Sequence, residues 1–134
     1  MNRTALLHHI ADVGGHKGLF AKTTLTTLRE SCAGNSELEE LLTGTVEQCV
    51  KYAQSVVEFV AALNGGDQEE LNRIDQSRHY IHEATEGAVK ILSRNMTVRG
   101  CDGSWIKFFP NRAAIGSLAV QIAFAHLKEE VSNE

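Results

Sequence analysis

The sequence is poor in proline, cysteine and aromatic residues, and each shortage excludes a class of protein. Its 134 residues include one proline, and 43% of them are hydrophobic, which excludes collagen-like and disordered chains. Three cysteines without a Cys-x-x-Cys spacing form no disulfide framework and predict reduced thiols in a cytoplasmic protein. No apolar run reaches the about 18 residues of a membrane span, and no secretory signal is recognisable. The length predicts a single domain covering residues 1–134.

The net charge of −4 argues against general nucleic-acid binding, because nucleic-acid-binding domains are usually basic. The charge is distributed unevenly along the chain. Between Lys90 and Arg112, five basic residues stand against one acidic residue, Asp102, and the rest of the chain is therefore strongly acidic. We expect any anionic partner to bind this basic segment.

Hydrophobic periodicity is clearest in segment 36–63. Apolar residues recur there at spacings of three, four and seven, which is typical of one face of a helix. Ser36 and Glu39 have the spacing of a capping box at its start, and Gly65 and Gly66 supply a stop after it. The segment is predicted to be one long helix.

Two further segments, 67–96 and 111–130, have the same character. The first begins at a potential N-cap, Asp67, and the short Asn-Gly-Gly link before it predicts antiparallel packing against helix 36–63. The second is apolar nearly all round, so we expect other helices or a second subunit to surround it. The sequence therefore predicts an all-α, antiparallel bundle of three long helices.

The remaining segments carry weaker signals. Residues 3–13 and 19–31 have helical spacing, although four threonines in the second lower its helix propensity. They predict one or two N-terminal helices that pack on the bundle. Segment 97–109 is predicted to be a small hairpin or an ordered loop, because short β-prone pairs flank Asp102 and Gly103.

The least expected residue on predicted helix 67–96 is Arg78, which falls on its apolar face between Ile74 and Ile81. A buried arginine needs a partner, and Asp75, one turn earlier, is the nearest carboxylate. One interpretation is a polar network that fixes the register of the helices. The other is a ligand site in which Arg78 binds an anion and His82 is a ligand or general base. The candidate ligand-binding residues are Asp75, Arg78, His79, His82 and Glu86.

A metal site on this helix would combine His79 and His82 with Glu83 and Glu86. The two histidines lie about 60° apart around the helix axis, and neighbouring helices offer few ligands. We therefore expect no metal and no other cofactor. No nucleophile elbow, phosphate loop or zinc-protease motif is present, so no catalytic residue is assigned and the sequence favours a protein that is not an enzyme.

Aromatic and basic residues gather in the segment before the last helix. Trp105, Phe108 and Phe109 lie within five residues, and arginine with aromatic residues is the composition of interface hot spots and of surfaces that stack bases. The alternative is an aromatic plug that closes one end of the bundle, with solvated charges around it. The candidate interaction surface consists of Arg94, Arg99, Trp105, Lys107, Phe108 and Arg112.

A second apolar strip on helix 67–96 contains Tyr80, Ala84, Gly87 and Ile91, roughly opposite the first. With the apolar segment 111–130, it predicts a homodimer. The sequence therefore favours a small cytoplasmic helical-bundle protein that acts through binding or homo-oligomerisation. The alternative is a bundle that binds a small ligand or a metal, with a polar site around Arg78 and His82. An unidentified protein or an anionic small molecule remains open as a further partner.

Overall fold

The computed structural model describes residues 2–13 and 21–132, and in these ranges the protein is a helical bundle. Helices account for 88% of the described residues, with no strand among them, which confirms the all-α prediction. Residues 19 and 20, at the start of a predicted N-terminal helix, lie outside these ranges. The elements in chain order are α1 (Arg3–Asp12), α2 (Ala21–Cys32), α3 (Ser36–Gly65), α4 (Gln68–Val98), a 3-10 turn (Ser104–Phe108) and α5 (Arg112–Ser132).

Local capping sets the ends of the two longest helices. The N-cap of α3 is Asn35, whose extended backbone lets its side-chain oxygen accept a hydrogen bond from the Leu38 amide at 3.1 Å. The capping box predicted from Ser36 and Glu39 is therefore wrong by one residue. Gly66, at φ 72°, ends α3 in the left-handed conformation that glycine adopts without strain. The Asp67 side chain accepts hydrogen bonds from the first turn of α4, which confirms its predicted role.

Helix α5 is the central element of the described bundle. It packs against all four of the other α-helices, so its nearly uniform apolarity is satisfied within one chain. Leu118, Ala119, Ala123 and Leu127 are fully buried on it. No helix in the described ranges is long and apolar enough to cross a membrane.

The two N-terminal helices complete the core. Leu6 and Ile10 of α1 and Leu25 and Leu28 of α2 are each at most 3% exposed. Both helices lie against α3 and α5. Packing thus outweighs the low helix propensity of the threonines in α2, since tertiary burial routinely overrides intrinsic propensity.

The three cysteines are free thiols. Cys49 is buried in the core, as its position on the apolar stripe of α3 predicts, and burial raises its pKa to about 12. Cys32 is also buried, while Cys101 is only partly covered. Cys32 and Cys49 are therefore core residues rather than reactive thiols.

The segment between α4 and α5 forms an ordered loop with a 3-10 turn, the second of the two predicted alternatives. Ser93 anchors the loop by donating a hydrogen bond of 2.6 Å to the Gly103 carbonyl oxygen. A side chain at Gly103 would collide with the carbonyl oxygen of Ser93. Glycine is therefore required where the loop passes close to α4.

Candidate functional site

Arg78 lies on α4, and its side chain spans to α3. Its Nη2 donates a 2.9 Å hydrogen bond to Asp75, and its guanidinium stacks 4.5 Å from the centre of the Phe59 ring. The Arg78 side chain is 26% exposed, so solvent reaches part of the charge. Its Nε atom is buried and has no hydrogen-bond partner among the described residues. Arg78 therefore has an ionic and an aromatic partner, and the Tyr52 hydroxyl is within hydrogen-bonding reach of its guanidinium, whereas the buried Nε has no partner among the described residues.

His82 links α4 to the start of α5. Its Nε2 lies 3.0 Å from the carbonyl oxygen of Arg112, and because a carbonyl only accepts, Nε2 carries the proton and donates. Nδ1 can then accept from the Arg112 guanidinium at 3.4 Å. The ring is 8% exposed and meets the Tyr52 ring edge-on at 5.2 Å between centroids. With both nitrogens engaged, His82 acts as a link between helices.

Tyr52 lies where α3, α4 and α5 meet. Burial raises the pKa of its hydroxyl, while the nearby positive charges of Arg78 and Arg112 oppose the rise. A methyl group built on Gly116 would lie 2.5 Å from the Tyr52 oxygen and 3.4 Å from Nε2 of His82. Gly116 thus permits the close approach of α5 to Tyr52 and His82.

The other two predicted residues of the site lie at its edge. Glu86 faces Arg112 at 3.8 Å and His82 at 3.9 Å, and it bonds Lys90 at 2.8 Å. The hydrogen bond from Lys90 holds the pKa of Glu86 below its ordinary value. His79 is 60% exposed and 4.0 Å from Asp75. The five predicted residues therefore form a strip along α4 whose most buried member is His82.

The predicted basic and aromatic surface divides into separate environments. Arg99 pairs with Glu37 of α3 at the end of α4, whereas Arg112 contacts His82 and Glu86 near its middle. Thirteen residues of helix between Glu86 and Arg99 correspond to about 20 Å. Trp105 is half-buried against the core, while Phe108 is 74% exposed. Arg94 and Lys107 are exposed.

Helix α4 exposes a second apolar strip, which we call the outer face of α4. Its members recur at alternating spacings of four and three residues. Five are uncharged, Tyr80, Ala84, Gly87, Ile91 and Val98, and one is charged, Arg94. Tyr80 is 69% exposed, Ile91 46% and Val98 76%. A groove of about 510 Å³ lies beside this face, between α4 and α3, and its floor contains Leu41, Gly44, Ala88 and Ile91. The repeat is that of a coiled-coil seam with no partner helix in the described chain.

A further polar cluster joins α1, α3 and α5, and sequence reasoning missed it. Arg3 bonds Glu130 through Nε and Nη2, each at 2.8 Å, and Glu47 through Nη2 at 3.0 Å. The Arg3 guanidinium lowers the pKa of Glu130. His126 Nε2 lies 2.9 Å from Glu130 and 3.6 Å from Glu47. The spacing of His126 and Glu130 is visible in the sequence, but nothing local indicates that Glu47 and Arg3 join them.

Comparison with known proteins adds no relative: no protein-family model, no curated protein and no solved structure matches this chain.

Proposed function

We propose that this chain is a binding protein that self-associates through the outer face of α4, with a second copy as its partner. The observation that carries the proposal is the exposed strip of Tyr80, Ile91 and Val98 at coiled-coil spacing on a helix whose opposite face is buried from His82 to Met96. The buried residues of α4 include His82, Val89 and Met96, spaced seven apart, so the two faces lie on opposite sides of one helix.

Gly87 supports a helix as the occupant. It lies in the interior of α4, where glycine costs about 1 kcal/mol relative to alanine. A side chain built at this position meets no atom of the chain within 4 Å, so packing within the chain gives no reason for glycine. A second helix crossing at Gly87 would use the space, since small residues let helix backbones approach closely.

The charges beside the outer face favour an antiparallel second copy. Glu83 and Lys90 immediately precede Ala84 and Ile91, so they flank the strip on the same side. In an antiparallel pair of helices, the residues that flank the strip on this side face the same flank of the partner. Glu83 of each copy then faces Lys90 of the other. The two-fold axis of this arrangement passes close to Gly87. A parallel pair would bring Glu83 against Ala88 and Lys90 against Asn95 instead.

In the same antiparallel register, a residue of the second copy would fill the groove beside α4. The two-fold axis near Gly87 places Tyr80 of the second copy between Ile91 and Arg94 of the first. Tyrosine is enriched at interfaces because it combines a large apolar ring with a polar tip, and this one is 69% exposed in the single chain. Its ring would cover the groove floor of Leu41 and Ala88.

Light scattering and sedimentation at tens of micromolar test the proposal. We expect the wild-type protein to have the mass of a dimer. Ile91→Glu places a charge in the seam and is expected to raise the dissociation constant about 30-fold or more, equivalent to losing a hot spot of about 2 kcal/mol. Leu63→Glu is the matched control, because Leu63 is similarly exposed, at 50% against 46%, but lies at the far end of α3. It should leave the mass unchanged.

A charge exchange tests the register separately. Glu83→Lys should weaken the dimer by setting like charges against each other, and Glu83→Lys with Lys90→Glu should restore it. A wild-type protein that is monomeric at these concentrations contradicts the proposal. A dimer that survives Ile91→Glu shows that another face mediates association.

A second candidate function is the binding of an anion by Arg78, which its unpartnered, buried Nε favours. Inorganic phosphate should then raise the melting temperature of the wild type above that in sodium chloride of equal ionic strength, and Arg78→Met should abolish the rise. Arg73→Met is the control, since Arg73 is a 74% exposed arginine of the same helix. An unchanged melting temperature in phosphate removes this candidate and leaves Arg78 as a structural partner of Asp75.

A further inference from the structure

The cluster of Arg3, Glu47, His126 and Glu130 contains the residue types that bind metal ions, and the Arg3 guanidinium contacts both carboxylates. One atom from each of Glu47, His126 and Glu130 lies within 4.8 Å of the other two. Two carboxylate oxygens and one imidazole nitrogen form a ligand set suited to divalent transition metals. We infer that this cluster binds a divalent transition-metal ion such as Zn²⁺, in competition with Arg3.

The ligands come from packed helices, so the site is preorganised. His126 and Glu130 are one turn apart on α5, and Glu47 projects from α3, which packs directly against α5. The His126 side chain is 18% exposed, and its Nε2 is fully buried. Nε2 faces both carboxylates, 2.9 Å from Glu130 and 3.6 Å from Glu47, although the angle to Glu130 is poor for a hydrogen bond. Metal coordination would satisfy this nitrogen.

The His126 ring can carry its proton on the nitrogen that does not face the carboxylates. Coordination through Nε2 requires the proton to reside on Nδ1, which lies 3.4 Å from the Arg29 guanidinium. Arg29 is already paired with Glu129, so it can turn toward that carboxylate when Nδ1 carries hydrogen. A groove of about 310 Å³ that is lined by His126, Glu47, Arg29 and Thr43 opens the site to solvent.

Arg3 is the resident cation that the metal must displace. Its Nη2 contacts the same oxygens, Oε1 of Glu47 and Oε1 of Glu130, that lie nearest to His126. A guanidinium and a divalent ion cannot share these oxygens without strong repulsion at such short range. Metal binding therefore releases the ionic contact between α1 and the other two helices. Removing Arg3 is expected to strengthen metal binding, which is the opposite of what loss of a structural residue usually does.

Isothermal titration of the full chain with Zn²⁺, in a buffer that does not chelate it, tests the inference. We expect binding of one ion by the wild type, loss of at least about tenfold in affinity in His126→Ala and in Glu47→Gln, and a gain of at least about tenfold in Arg3→Ala. Glu47 is 49% exposed, so Glu47→Gln remains informative if His126→Ala does not fold. His79→Ala is the control, because His79 is an exposed histidine beside a carboxylate on α4.

Replacing Zn²⁺ with Co²⁺ supplies a second readout, because the visible absorption of bound Co²⁺ depends on which ligands coordinate it. A spectrum that changes in His126→Ala and not in His79→Ala supports coordination by His126. Zn²⁺ affinity that is equal in the wild type, His126→Ala and Glu47→Gln overturns the site. Affinity that falls in those variants but does not rise in Arg3→Ala overturns the competition. Absence of measurable binding to both the wild type and Arg3→Ala leaves the cluster as an ionic link between helices and overturns the inference as a whole.

Discussion

Leu118→Ala should lower the free energy of unfolding by about 2–5 kcal/mol, a large part of the about 5–15 kcal/mol that holds a domain together. Leu118 is fully buried on α5, which packs against every other α-helix in the described chain. The cavity left by the truncation is bordered by several elements, none of which can collapse into it freely. Urea unfolding followed by circular dichroism measures the loss, at one protein concentration throughout because self-association shifts apparent stability.

Leu63→Ala provides the control for this truncation. Leu63 is the same residue type at 50% exposure near the end of α3, so its loss should change stability by no more than about 0.5 kcal/mol. A loss below about 1 kcal/mol for Leu118→Ala would show that α5 is not the centre of the core. A change in the urea dependence of either variant would instead indicate an altered unfolded state.

The helices were predictable because their signal is local and repeated. A stripe at spacings of three and four over about thirty residues leaves little freedom in the type of element, and α3, α4 and α5 begin and end within two residues of their predicted bounds. Single capping interactions are less certain. Asn35 and Ser36 are both good N-caps, and the choice between them depended on the backbone turn into α3.

The polar contacts differ in the same way, since those within one helix were predictable and those between helices were not. Asp75 and Arg78 are one turn apart on one helix, so their pairing follows from helical geometry. Arg3 and Glu130 are 127 residues apart, and only the packing of α1 on α5 brings them together. The partners of His82 also come from another helix, since it bonds the backbone and side chain of Arg112. Periodicity identifies which face of a helix is buried, but not which residue of another helix it meets.

The basic and aromatic segment illustrates the limit of composition as a guide. Its residues are close in sequence, yet Arg99 pairs with Glu37 of α3 whereas Arg112 contacts Glu86 near the middle of α4, because the loop between them runs back along α4. Proximity along an irregular segment does not create one surface. The outer face of α4 is the opposite case, since regular spacing along one helix keeps its members on one side.

Two mid-helix glycines lie in different environments, and substitution by alanine distinguishes them. Gly116 faces Tyr52 and His82 at the junction of α3, α4 and α5, where a side chain would overlap the Tyr52 hydroxyl. Gly44, in the interior of α3, has open space around it, since a methyl group there would meet no atom within 4 Å. Alanine is normally favoured over glycine inside a helix by about 1 kcal/mol, so the sign of the change depends on the space available.

Gly116→Ala is expected to destabilise the protein by up to about 2 kcal/mol, because an overpacking cost of up to about 3 kcal/mol exceeds the gain of about 1 kcal/mol in helix propensity. Gly44→Ala should stabilise it by up to about 1 kcal/mol. Both are compared by urea unfolding in the Ile91→Glu background, so that self-association does not contribute. Adding Tyr52→Phe to Gly116→Ala removes the oxygen that lies 2.5 Å from the new methyl group and should recover at least half of the loss. Equal gains from Gly116→Ala and Gly44→Ala would show that the junction is not tightly packed. A loss that Tyr52→Phe fails to relieve would assign the strain to the ring at position 52, whose Cζ lies 3.2 Å from the methyl group, or to His82 at 3.4 Å.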